Sequence, residues 1–367
     1  MDRKSPIAAA NCQPTEISVD YFYSKFRMED EKETEDKTEE GAENKPKKRT
    51  PLEHLEEARW HGCPQCPHCG YASVGTWNRK NWYRCNSHKC NKPFNAKTKT
   101  IFERTKVPLL KWFLACYYMM QFEGMSSVKL AKTLGVMQNT AWLMMHKIRE
   151  AMASGKEGLM LKGIVEVDEA YLGGKERNKH HKKRLFPGGG VGGKMGVLGM
   201  AERGGKAISQ LLPDKDDCKT NFRGEPISIP DTEEETMQGI ICGRVGKGSS
   251  VYADGHRSYK GLDKRGYVYD AVDHSAHKYV AGSVHTNTIE SRWNILKTEY
   301  RCHRWYKREY AQRYLDESDF RWNEMRVLKM RNGTLKFVGR APTEAAFDAF
   351  IKGSIGKALP CNKLAAA

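Results

Sequence analysis

The spacing of apolar positions changes character along the chain, and each regime predicts a different kind of element. From 107 to 153 apolar residues recur at helical intervals. LLKWFLACYYMMQF (109–122) reads as a largely buried helix, too short and too lysine-marked for a membrane span. SSVKLAKTLGVMQNTAWLMMHKIREAM (126–152) predicts two helices broken at Gly135, with small Ala131 at their crossing. Beyond 160 the period falls to two. GIVEVDEAYLGG (163–174) alternates apolar and acidic residues before a glycine pair, as a strand entering a loop does. KMGVLGMAERGGKAISQLL (194–212) predicts a hairpin turning at Gly204–Gly205, and SSVYADG (249–255) and YVYDAVDH (267–274) two more strands. PDTEEETMQGIICGRV (230–245) and NTIESRWNILKTEYR (287–301) read as helices. The order β-β-β-α-β-(α)-β-α predicts one mixed sheet flanked by helices, in a multidomain α/β chain.

Outside these patterns the chain is polar. MEDEKETEDKTEEGAENKPKKR (28–49) has almost no apolar residue and cannot offset the entropy of folding. Residues 1–50 are therefore expected as an acidic, mostly disordered tail, and 331–367 as a C-terminal tail. Of 367 residues, 62 are Lys or Arg and 45 Asp or Glu, a net charge of +17. Residues 1–44 alone carry 6 basic and 12 acidic side chains, so the remainder carries +23. A surplus of that size on a folded body points to a polyanion such as double-stranded DNA, with no membrane partner. KERNKHHKKR (175–184) concentrates it, and makes Lys182, Lys183 and Arg184 candidate phosphate contacts. On the second helix of the 126–152 pair, Thr140 and Lys147 are candidates to enter a major groove.

The N-terminus lacks the apolar core of a secretory signal, so a reducing cytoplasmic setting is expected. Eleven cysteines there suggest metal ligands and buried thiols rather than disulfides. Cys66-x2-Cys69 and Cys85-x4-Cys90, separated by a hairpin-sized stretch, suit one tetrahedral structural zinc. Cys63-x2-Cys66 is a competing pair, disfavoured because Gly70 follows Cys69 and relieves the turn. The site would lie in a zinc ribbon over 51–98, followed by a helix-turn-helix region over 107–155.

Asp168 and Asp254 each end a predicted strand, and 35 residues lie between Asp254 and Glu290. Locally, Asn287-x-x-Glu290 has capping-box spacing. Lys297 follows Glu290 by seven residues and shares its helix face. Glu166 shares a strand face with Asp168, whereas Glu169 alternates to the other. His285 precedes the helix and is a candidate DNA contact with Lys297.

Two aspartates, then a glutamate after 35 residues and a lysine after seven more, resemble the DDE motif of transposases and retroviral integrases. RWHGCPQCPHCG, VEVDEAYLGGKERNKHHKK, VHTNTIESRWNILK and QRYLDESDFRWN are similar to the zinc-ribbon DDE transposases of bacterial insertion sequences, an ISXO-like group related to eukaryotic Merlin elements. The resemblance implies a ribonuclease-H-like catalytic domain over 160–330, its first and fourth strands parallel neighbours. Asp168, Asp254 and Glu290 would then be the catalytic acids, holding two Mg²⁺ or Mn²⁺ per active site. The implied activity is metal-dependent cleavage of element ends followed by strand transfer, by a homo-oligomer assembled on DNA in the bacterial nucleoid. Alternatives are a ribonuclease-H-like nuclease that cuts without joining, and a transposase-derived DNA binder without catalysis.

Overall fold

In the computed structural model, the helical half of the chain closes on aromatic rings before the sheet begins. The structure describes residues 16–27, 48–121, 124–174, 178, 180, 191–215, 229–272, 285–303, 306–331 and 334–358. α1 (Val19–Lys25) is capped by Ser18, and α2 (Pro51–Trp60) opens on a Thr50–Glu53 capping box. Three short antiparallel strands follow: β1 (Val74–Thr76), β2 (Tyr83–Cys85) and β3 (Pro93–Phe94). The Trp60 ring packs edge-on against Tyr83 at 5.6 Å and Phe94 at 5.8 Å, seating this small sheet on α2.

α3 (Leu109–Met119), α4 (Ser127–Leu134) and α5 (Gln138–Ala153) make the helical layer. α4 ends where Gly135 turns left-handed, φ 61°, and its N–H bonds back to the Ala131 carbonyl. The pattern of 126–152 thus reads correctly as two helices. Lys147, a sequence candidate for groove contact, is buried instead. α5 lies between other helices, and its exposed residues are Gln138 and Asn139 in the first turn, with Thr140 half-buried. Trp142 packs on His146 at 4.2 Å and on Tyr310 at 5.7 Å.

The second half is built on β4 (Ile164–Leu172), β5 (Met195–Glu202), β6 (Ala207–Leu211), β7 (Ser250–Asp254) and β8 (Val268–Val272), in spatial order β6-β5-β4-β7-β8. β5 and β6 are antiparallel about Gly204–Gly205, and β4 is antiparallel to β5. β7 pairs in parallel with both β4 and β8. α6 (Glu234–Arg244) supplies Met237 and Ile241 to one face, against Val165, Val167, Val251 and Ala253. α7 (Asn287–His303) and α8 (Arg308–Glu324) cover the other, where Ile289, Trp293 and Leu296 pack on Ala170, Leu172 and Val197. Spacings of four and three between these α7 residues give one apolar stripe.

Buried ion pairs join the two halves and tie α7 to α8. Arg149 Nε on α5 lies 2.6 Å from Glu317 Oε2 on α8, and Arg321 binds Glu299 at 3.0 Å. Lys156 reaches Asp316 and Asp319, each at 2.7 Å, and Asp319 also takes Arg292 at 2.9 Å. Burial opposes the charge on Glu317, yet Arg149 and Arg321 hold its carboxyl down to about 2.

Neither terminal stretch is wholly the tail the sequence suggested. Within 1–50, α1 buries Phe22, and Phe26 follows it into the core. After 331, β10 (Thr334–Arg340) pairs with β9 (Arg326–Arg331), and α9 (Glu344–Ser354) returns to the helical core. There Phe347 meets Phe22 at 5.2 Å and Phe113 at 5.1 Å. The amphipathic pattern FDAFI (347–351) was the available signal. Among the described residues, no helix is long and apolar enough to cross a membrane.

Candidate metal centres

Four thiols meet where β1 and β2 face the turn before them. Cys66 Sγ lies 3.7 Å from Cys90 Sγ, and Cys69 Sγ 3.6 Å from Cys85 Sγ. All four sulfurs fall within 4.8 Å of one another. A tetrahedral zinc with Zn–S bonds of about 2.3 Å separates its sulfurs by about 3.8 Å, so the set could hold zinc with little movement. The turn works as its composition suggests: Gly70, φ 77°, donates to the Cys66 carbonyl at 2.8 Å. Burial, then hydrogen bonding among the thiols, pushes Cys85 up to about 12, a cost that a bound cation reverses. Cys63 is exposed and outside the cluster.

The second centre lies at the outer end of β4. Its ladder with β7 runs from Ile164↔Ser250 to Glu166↔Tyr252 and stops there. Asp168 and Asp254 stand two residues further along each strand, where parallel neighbours separate into a crevice. One oxygen each of Asp168, Asp254 and Glu169 lie within 4.8 Å of one another. Alternation still sends Asp168 towards Trp293 of α7 and Glu169 towards Tyr259 and His256 on the other face, yet their carboxyl oxygens reach one another past the open edge of β4. Burial raises the pKa of Asp168; the Trp293 hydrogen bond opposes the shift, and Asp254 and Glu290 add to it. Burial likewise carries Glu169 up to about 7; the nearby Tyr259 hydroxyl opposes the shift, and Asp254 and Asp168 add to it. Hard divalent cations favour such an all-oxygen set.

α7 is held over the crevice by two grips from the same strand. Asp168 Oδ2 accepts from the Trp293 indole at 2.8 Å. Glu166, fully buried, accepts from the backbone N–H groups of Thr288 at 2.7 Å and Ile289 at 3.1 Å. A strand carboxylate thus caps the helix and meets the positive end of its dipole. Arg203 donates to Glu166 at 2.7 Å and to the His285 carbonyl at 2.8 Å. His285 Nδ1 lies 3.4 Å from Glu166, so this side chain leans on the cap.

Capping is where the local pattern at 287–290 misleads: Glu166, not an Asn287–Glu290 box, closes the first turn. Glu290 accepts from Thr286 Oγ1 at 3.1 Å and is exposed on the first turn of α7. It is outside the group formed by the other three acids, though near enough to raise the pKa of Asp168. Lys297 is exposed further along the helix. Lys182, Lys183 and Arg184 lie outside the described residues. Sequence reasoning missed Trp293 and Arg203; only Glu166 was signalled, by sharing a strand face with Asp168.

Gly199 faces Asp168 across the β4–β5 ladder. A Cβ there would lie 2.4 Å from Trp293 Cη2 and 2.8 Å from Ile289 Cδ1, so glycine allows α7 to lie directly on the sheet.

Residues 160–323 match the ISXO2-like transposase domain family. An uncharacterised protein in the transposable element ISH50 of Halobacterium salinarum is 29% identical over 273 residues, spanning 71% of this chain and 86% of that protein. An uncharacterised transposase-like protein of Haemophilus influenzae is 28% identical over 101 residues, spanning 28% of this chain and 81% of that protein. Residues 160–323, the stretch carrying the acidic crevice and the helix clamped above it, are thus similar to the ISXO2-like transposase domain.

Proposed function

We propose that the chain is an insertion-sequence transposase that binds element ends and both cuts and joins DNA. The observation that carries this is the meeting of Asp168 and Asp254 at the ends of adjacent parallel strands, beneath a helix bearing Glu290. The parallel pairing of the first and fourth strands of the sheet supports a ribonuclease-H-like catalytic domain. The two centres fit two kinds of ion: four thiolates for one structural zinc in a ribbon, and carboxylates for Mg²⁺ or Mn²⁺. When bound, a pair of divalent ions supplies Lewis-acid stabilisation of the attacking and leaving oxygens.

Asp168 and Asp254 would be the fixed ligands, immobilised by their strands. Glu290 would join them from α7, whose first turn is already tethered by Glu166. Water opens the phosphodiester at the element end, leaving a 3′-hydroxyl and a 5′-phosphate. The 3′-oxygen then forms a new bond to a target phosphorus as the target's own 3′-oxygen leaves. One phosphodiester replaces another, so no energy cofactor is consumed.

Lys297, His285 and the 175–184 stretch would follow the phosphate backbone, and the exposed first turn of α5, with Thr140, would approach a groove. Binding two ends calls for a homo-oligomer on the DNA, acting at the bacterial nucleoid.

A supercoiled plasmid carrying the element ends, incubated with protein and Mg²⁺, tests this. Joined products are expected. Asp168→Asn, Asp254→Asn and Glu290→Gln should each abolish cleavage while retaining end binding. Nicking without joining would support a nuclease, and binding without either a non-catalytic DNA binder.

A further inference from the structure

We propose that Asp168, Glu169 and Asp254 form a divalent-cation site that is complete in the DNA-free protein and does not require Glu290. The identity of the ion, Mg²⁺ or Mn²⁺, rests on the transposase reading; the geometry does not. One oxygen from each of the three residues lies within 4.8 Å of the other two. Oxygens sharing one Mg²⁺ at about 2.1 Å are separated by roughly 3 to 4.2 Å, so only a small closure is required.

A second observation points to a cation at this spot. The Glu169 side chain is 8% exposed, and its Oε1 makes no hydrogen bond of normal geometry; the buried Tyr259 hydroxyl close to it is likewise unsatisfied. Among the described residues, His256 Nδ1 stands 4.0 Å from Glu169 Oε1, beyond hydrogen-bond range. An oxygen taken from water and left unbonded is costly, and a metal ligand bond removes that cost. The neighbouring acids are differently placed. Asp168 spends Oδ2 on the Trp293 indole, and Asp254 Oδ1 accepts from the His256 N–H at 3.2 Å. Each keeps a carboxylate lone pair for an ion.

Glu169 enters the crevice because β4 outruns its ladder with β7, which ends at Glu166↔Tyr252. Past that point strand alternation no longer separates two enclosed faces. Glu290 is engaged with Thr286 and exposed, the position of a ligand that arrives later. The three acids would therefore retain one ion, and Glu290 would help to complete the pair when DNA brings its phosphate.

Titration of the full-length, DNA-free protein with Mn²⁺, followed by the electron paramagnetic resonance of the free ion, tests this. Glu169→Gln should weaken the first ion by about ten-fold or more, and Glu290→Gln by no more than about two-fold. The Mn²⁺-dependent rise in unfolding temperature should shrink in parallel, while metal-free Glu169→Gln unfolds no earlier than wild type. Glu169→Asp, which keeps the charge on a shorter arm, should also lose affinity. Wild-type affinity in Glu169→Gln, with binding lost in Asp168→Asn and Asp254→Asn, overturns this inference alone. Wild-type affinity in all of these variants removes the cation site, and the proposed catalytic function with it.

Discussion

Gly199→Ala should misplace α7 by adding one methyl group, and the structure gives the scale of the effect. The new Cβ would lie 2.4 Å from Cη2 and 2.6 Å from Cζ2 of Trp293, and 2.8 Å from Cδ1 of Ile289. Carbon contacts relax at about 3.5–4.0 Å, so α7 must lift by roughly 1 Å or Trp293 must leave its rotamer. Either movement strains the 2.8 Å bond from the indole to Asp168. Overpacking of this kind costs about 1–3 kcal/mol, and a weakened bond to a carboxylate adds about 1 kcal/mol. Together they lower the unfolding midpoint by roughly 5–10 °C in a domain of this size. Cleavage should fall further than end binding, since Glu290 rides on the displaced helix. Gly239→Ala is the matched control: it lies in α6, is exposed, and has no atom within 4 Å of its added methyl group. There the substitution should stabilise by up to about 1 kcal/mol through helix propensity. Equal midpoints for Gly199→Ala and wild type, measured by thermal unfolding, would refute the close seating of α7 on β5.

Three further outcomes are expected. Glu166→Ala removes the acceptor of two backbone N–H groups and leaves Arg203 without this buried counter-ion, costing about 3–5 kcal/mol; denaturant unfolding measures it, and a loss under about 1 kcal/mol counts against the cap. Elemental analysis should find one zinc per chain, lost in Cys66→Ser and Cys85→Ser but kept in Cys63→Ser; a metal-free chain with unchanged unfolding would defeat the zinc assignment. Stability should decline in acid because burial, with neighbouring cations, lowers His54 to about 4 and His146 to about 3 from an ordinary 6.5. The unfolded chain then takes up protons first, so the contribution of His54 is intact above pH 6.5 and is lost as pH falls towards about 4. His54 lies among Phe26, Phe113 and Phe347 with Nε2 unbonded, so His54→Phe should flatten that slope without unfolding the protein. An unchanged midpoint-versus-pH curve would show that His54 does not drive it.

What was legible in the sequence depended on whether one element's own period contained the information. Alternation in 164–172 gave β4 and its two faces, and Gly204–Gly205 gave the β5–β6 turn, because strand pattern and turn chemistry are local. The cysteine spacing worked for the same reason: two close pairs on short loops have few ways to meet. Lys147 failed because burial of α5 is decided by α8 and α9, which lie more than 150 residues away. Alternation gave the faces of Asp168 and Glu169 but not their meeting, which depends on where β7 leaves β4 and opens an edge that both carboxylates can reach round. The cap of α7 failed more instructively. Asn287 and Glu290 satisfied a local rule, yet Glu166, 122 residues upstream of Thr288, takes the helix N–H groups. A tertiary carboxylate displaces a local cap when the helix must be held in one place rather than merely begun. Glu166 and Asp168 sit on the same face of one strand, so the residue that fixes α7 and the residue that meets Asp254 share a rigid support. That arrangement leaves Glu290 one turn from its anchor, able to move without the helix unseating.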